Sequence, residues 1–119
     1  MLLNEDHRAV QDAVRAYVQD RIAPHAARWD KEHHFPKEAH QGLAALGAYG
    51  ICVPEEFGGA NLDYVTLALV LEEIAAGDGA TSTIVSVQNS LACGITMKYG
   101  TDAQKEEWLK PLARGEVLG

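Results

Sequence analysis

The sequence predicts an all-α protein, an antiparallel helical bundle of about five helices. Two observations carry this expectation. Apolar residues recur with a period of about 3.6 along most of the chain, with almost no period-2 alternation. Glycine, proline and capping residues interrupt that pattern at intervals suited to helices joined by short connections.

The first helix starts at Asn4, an N-cap residue, with Glu5 and Asp6 set against the positive end of the helix dipole. Val10, Val14, Tyr17, Val18 and Ile22 form its apolar stripe. Pro24 lacks an amide donor and kinks the helix. Ala26 and Trp29 stay in phase with the stripe, so a further turn or two follows the kink. Pro36 opens a second helix at its first position, where a missing donor costs nothing. Ala39, Leu43 and Leu46 form the buried face of that helix, and Gly47 or Gly50 closes it in a left-handed cap. The stretch 53–59, VPEEFGG, is a loop, because its proline and paired glycines exclude both helix and central strand.

Asp63 caps a third helix carrying Leu67, Val70, Leu71 and Ile74. Gly77, Asp78 and Gly79 break it, and Asp78 caps a fourth helix with Ile84, Val87, Leu91 and Ile95 in register. Small residues on its other sides, Ala80, Ser82, Ala92 and Gly94, let neighbouring backbones approach. Gly100 ends this helix. Thr101 and Gln104 make a capping box for a fifth, which carries Trp108, Leu109 and Leu112. After Pro111 the pattern fades. Residues 115–119 read as a turn entering a strand, which suggests a larger protein continuing past a domain boundary at Gly119.

A chain of 119 residues is about one domain. Ten Lys and Arg against seventeen Asp and Glu give a net charge of −7. That argues against nucleic acid as a partner and against a polybasic membrane anchor. The most apolar stretch, 83–97, is too short and too polar for membrane insertion, and no targeting segment is visible. Two cysteines, Cys52 and Cys93, do not make a disulfide framework and suit a reducing compartment.

No self-contained active site emerges. His7, His25, His33, His34 and His40 lack metal-ligand spacing and read as solvated surface residues. Ser82, Ser86 and Ser90 share a helix face without a histidine and read as packing residues. Glu55 and Glu56, and Glu72 and Glu73, are sequence neighbours; on a helix such a pair diverges by about 100° and does not flank one substrate, so a solvated face is expected, with partial burial of one member as the alternative. Gly77, Asp78 and Gly79 lack the preceding strand of a dinucleotide fingerprint. Both cysteines read as core packing. No catalytic, cofactor-binding or metal residue is therefore named.

The ordered motifs carry a resemblance. Leu46, Gly47, Gly50, Pro54, Glu55, Gly58 and Gly59, within LGAYGICVPEEFGG over 46–59, are similar to the Leu-Gly-x-x-Gly…Pro-Glu-x-x-Gly-Gly signature of acyl-CoA dehydrogenases. LEEIA over 71–75 resembles the Glu-Glu segment of that family's next helix, and SVQNSL over 86–91 resembles its Asn-Ser-Leu helix. YGTDAQK over 99–105 resembles the helix start that follows. With Ile22, Ala23 and Pro24, and Phe35 and Pro36, these matches run in the family's order along nearly the whole chain.

The resemblance implies that residues 1–119 form the N-terminal helical domain of an FAD-dependent acyl-CoA dehydrogenase, stopping before the middle β-domain and the C-terminal bundle. It implies α,β-dehydrogenation of an acyl-CoA thioester, an electron-transfer flavoprotein as acceptor, and a homo-oligomeric parent. FAD would bind the parent and not this part tightly. The location implied is the cytoplasm or the mitochondrial matrix. The fourth helix would wall the acyl pocket, with Val87 at its floor and Thr83, Ile84 and Leu91 beside it. SVQNSL is similar to the short-chain branch, which leans the substrate towards short acyl groups. Competing readings are the same domain in an acyl-CoA oxidase-like flavoenzyme, and a non-catalytic helical adaptor docking a partner on its fourth helix.

Overall fold

The computed structural model describes residues 2–119, and among them it contains helices and turns and no strand. The elements are α1 (Glu5–Arg21), α2 (Ala26–Glu32), α3 (Lys37–Ala45), α4 (Tyr64–Gly77), α5 (Gly79–Val87), α6 (Gly94–Tyr99), α7 (Asp102–Gln104) and α8 (Lys110–Ala113). They assemble into five rods. A 3₁₀ turn at Ala23–His25 joins α1 to α2 and puts the kink at Pro24. Wider π turns at Gln88–Cys93 and Lys105–Leu109 join α5 to α6 and α7 to α8.

The expected caps form. The Asn4 side chain accepts from the His7 amide, Asp63 from Thr66, Asp78 from Thr81 and Thr101 from Gln104. Gly47, at φ +81°, supplies the left-handed residue after α3. Pro36 stands one residue earlier than expected, as the N-cap of α3 rather than its first helical residue. The loop 53–59 holds a single 3₁₀ turn, Glu55–Phe57, that closes on Gly58.

The molecule measures 41 × 37 × 19 Å. A helix with its side chains is about 10–12 Å across, so the slab is two helices thick and each rod keeps one broad face uncovered. The α1 and α4 rods run in the same direction: His7 meets Asp63, Arg15 meets Glu73, and Val18 packs at Gly77. The long connection through α2 and α3 makes this parallel pair possible. The short break at Asp78 instead turns α5 back antiparallel to α4, where the Ser82 hydroxyl donates to the Leu71 carbonyl at 2.8 Å.

One core cluster holds Val14, Val18, Ile22, Trp29, Leu43, Tyr49, Val70, Ile74 and Val85. A smaller one, of Val53, Cys93, Leu109, Leu112 and Ala113, seals the far end. Four residues of the expected apolar stripes, Leu46, Leu91, Ile95 and Trp108, are in neither cluster and are about half exposed, because nothing in the slab packs over them. The expected strand after Gly115 is absent: the Glu116 amide donates to the Pro111 carbonyl, and the tail lies against the π turn at Gln88 and Ala92.

Candidate functional site

Five residues at intervals of four, Thr83, Val87, Leu91, Ile95 and Tyr99, form one uncovered ridge along α5, the π turn and α6. Val87 is 37% exposed, Leu91 and Ile95 53%, and Tyr99 73%. The Thr83 hydroxyl donates to the Gly79 carbonyl at 3.0 Å, so it is occupied within the helix and the residue presents its methyl. A contiguous apolar face of this kind marks a surface that another body covers. Ile84 departs from this set. It is half-buried against the main core and lines a cavity of about 350 Å³ with Trp29, Phe35 and His40. A larger open concavity of about 930 Å³ lies between α1–α2 and α3, and neither hollow touches Val87 or Leu91.

The opposite side of the same rod is polar and buried. The Gln88 amide nitrogen donates to the Leu112 and Val117 carbonyls, each at 2.8 Å, and its oxygen accepts from the Gly119 amide at 3.0 Å. The Asn89 amide nitrogen donates to the Ala48 carbonyl at 2.8 Å and the Val85 carbonyl at 2.9 Å, and its oxygen accepts from the Ile51 amide at 2.9 Å. One residue thus clamps the C-terminal tail and its neighbour clamps the loop after α3. Reading the sequence did not find these roles. The available signal was two adjacent amide side chains in an otherwise apolar helix, where each requires a polar partner if buried.

Two of the five histidines are not solvated as expected. His7 is buried; its Nδ1 accepts from the Asn4 amide, so its Nε2 carries the proton and donates to Asp63 at 2.9 Å. That bond and two from Thr66 hold the Asp63 carboxyl down at about 2. His40 is buried beneath Phe35, stacked at 4.7 Å, and bonded to the Tyr49 hydroxyl. Burial pushes the His40 pKa below its ordinary value and the Tyr49 pKa above its own.

Glu73 is also buried, against the expectation of a solvated pair. It accepts from Gln11 at 3.1 Å and from Arg15 at 3.0 and 2.6 Å, and the Arg15 guanidinium holds its carboxyl below the usual range. These groups pair with one another inside the fold, and none faces the ridge. Burial raises the Cys93 thiol to about 11, which leaves it unreactive, and raises Cys52 as well. Two of the three serines are occupied: the Ser82 hydroxyl donates to the Leu71 carbonyl and the Ser90 hydroxyl to the Ser86 carbonyl. No helix is long and apolar enough to cross a membrane among the described residues.

Residues 4–116 match the family model for the acyl-CoA dehydrogenase N-terminal domain. The chain is 38% identical over 117 residues to the mitochondrial short-chain specific acyl-CoA dehydrogenase of Rattus norvegicus, covering 98% of this chain and 28% of that protein. It superposes with a TM-score of 0.95 and 31% identity on a chain in the structure described as the electron transferring flavoprotein of Acidaminococcus fermentans, covering 100% of this chain and 31% of that one. For a glutaryl-CoA dehydrogenase from Mycobacterium smegmatis in complex with FADH2, the TM-score is 0.92 and the identity 33%, over 98% of this chain and 30% of that one. The chain therefore spans less than a third of the length of these relatives.

Proposed function

The chain belongs to the acyl-CoA dehydrogenase family, as its N-terminal domain, and from that premise we propose that it walls the acyl pocket of an FAD-dependent enzyme that desaturates acyl-CoA thioesters at the α,β bond. The uncovered ridge of Thr83, Val87 and Leu91 is the observation that carries this reading. An apolar wall holds the acyl tail in register and excludes water from the thioester, which strengthens any charge placed to polarise it. Ile84 is withdrawn from that wall to the core side and supports it from behind.

The chain's own part is positioning. Among the described residues the ridge carries no carboxylate, histidine or cysteine, which supports proton removal by residues elsewhere in the parent. The glycine-flanked start of α5 does not serve as a phosphate cradle, since the Asp78 carboxylate fills it and accepts from Thr81, which supports flavin binding by other parts of the parent. The names of the relatives, short-chain specific above all, support a short acyl group. An electron-transfer flavoprotein as acceptor and a homo-oligomeric parent complete the reading.

Val87 variants in the full-length flavoenzyme test it. Val87→Phe should lower kcat/KM more for long acyl chains than for a four-carbon chain, with an overpacking cost of about 1–3 kcal/mol. Val87→Ala should favour longer tails, by up to about 0.8 kcal/mol per added methylene. Equal losses at every chain length would show that Val87 only packs the fold. A partner protein captured on this face, with no acyl-CoA turnover, would favour the adaptor reading instead.

A further inference from the structure

An α-helix advances about 100° per residue, so a row of every fourth residue drifts by about 40° per step. Over the four steps from Thr83 to Tyr99 the drift would reach about 160° and carry the far end of the row to the other side of the rod. Thr83, Val87, Leu91, Ile95 and Tyr99 are all exposed, while Thr81, Val85, Asn89 and Cys93 are all buried. The wider turn at Gln88–Cys93 lies in the middle of this row. Its hydrogen bonds skip one more residue than an α turn, so each residue there advances less and the drift from Val87 to Leu91 and beyond is reduced.

The pair at the start of this turn is anchored on two sides. Gln88 and Asn89 are 2% and 9% exposed, and between them they make six hydrogen bonds to backbone, five of them outside the rod. Both amides must face inward, towards the tail on one side and the loop on the other. We propose that Gln88 and Asn89 are specificity-determining positioning residues, which through the π turn fix the direction in which Val87 and Leu91 project and so set the depth open to the acyl tail. The inference rests on the pocket-wall reading above and deepens it.

The test uses the full-length, flavin-loaded protein and a series of saturated acyl-CoA lengths. Gln88→Met removes three bonds at nearly constant shape, and Asn89→Ser retains only a short hydroxyl in place of the amide. Each should change the ratio of kcat/KM between four- and eight-carbon substrates by about tenfold, the discrimination of a single methylene in an apolar pocket. Flavin content and absorbance should stay unchanged. A lower Tm with an unaltered length ratio would overturn the proposal, since that is the signature of a purely structural clamp. Failure of both variants to load flavin would overturn it equally, because the pair would then serve folding and not substrate choice. Val87→Phe separates the two readings. If it changes the length ratio while Gln88→Met and Asn89→Ser do not, the wall stands and the positioning role falls. If none of the three changes it, the wall itself is refuted.

Discussion

Replacing Glu73 by Gln removes a charge from the one buried carboxylate that ties α1 to α4. The carboxylate accepts three bonds, one on Oε2 and two on Oε1. A glutamine has one acceptor oxygen, so at least one donor among Gln11 and Arg15 must then face an amide NH₂ group. Losing one charge-assisted bond and weakening two others amounts to about 2–3 kcal/mol. Arg15 is 47% exposed and can turn to water, which discounts the loss to about 2 kcal/mol. For a chain of this size that is a fall in Tm of about 6–12 °C. The assay is thermal unfolding by circular dichroism, in the natural chain and in an Arg15→Met background. With the arginine gone, Glu73→Gln should cost less than about 1 kcal/mol, because most of the cost is the coupling. Equal losses in both backgrounds would refute the assignment of this energy to the ion pair.

Three further outcomes are expected. His40 has a folded pKa below its unfolded value, so on acidification the unfolded chain takes up the proton first; stability should fall as pH drops below about 6.5, and urea midpoints between pH 5 and 7 should lose that slope in His40→Phe. Asp63, held at about 2, stabilises the fold above its unfolded pKa and loses that contribution as pH falls through about 2, so Asp63→Asn should flatten acid unfolding between pH 4 and 2. Gly115 sits at φ +70°, and an added Cβ would lie 2.7 Å from that of Ala44 and 2.8 Å from the Tyr49 ring. Gly115→Ala should therefore cost at least about 2 kcal/mol in a denaturant titration.

Most of the fold was legible because its signals are local. Asn4, Asp63, Asp78 and Thr101 each bond an amide three residues on, and such a cap depends on little beyond its own turn. The kink at Pro24 follows from a missing donor and needs no partner. Burial of His7, His40 and Glu73 was not legible. His7 and Glu73 are each explained by a residue far along the chain, Asp63 and Arg15. His40 is enclosed by Phe35 and Tyr49, which approach it only because α3 and the following loop turn back on themselves. Leu46, Leu91, Ile95 and Trp108 fit a helical stripe, but a stripe alone does not say whether its cover is the same domain or something else.

Core stripes here use steps of both three and four: Leu67, Val70, Leu71 and Ile74 mix them in α4, while Val10, Val14, Val18 and Ile22 step by four along α1. Thr83, Val87, Leu91, Ile95 and Tyr99 step by four without a correction. Such a row drifts around a regular α-helix by about 40° per step, and the π turn at Gln88–Cys93 reduces that drift. The two adjacent amides at 88 and 89 stand at its start, and five of their six backbone partners lie outside the rod, in α8, the C-terminal tail and the loop after α3. Read together, these features place an apolar ridge on one side of the rod and a polar clamp on the other. That division suits a surface that must receive a flexible apolar chain while its own backbone stays fixed.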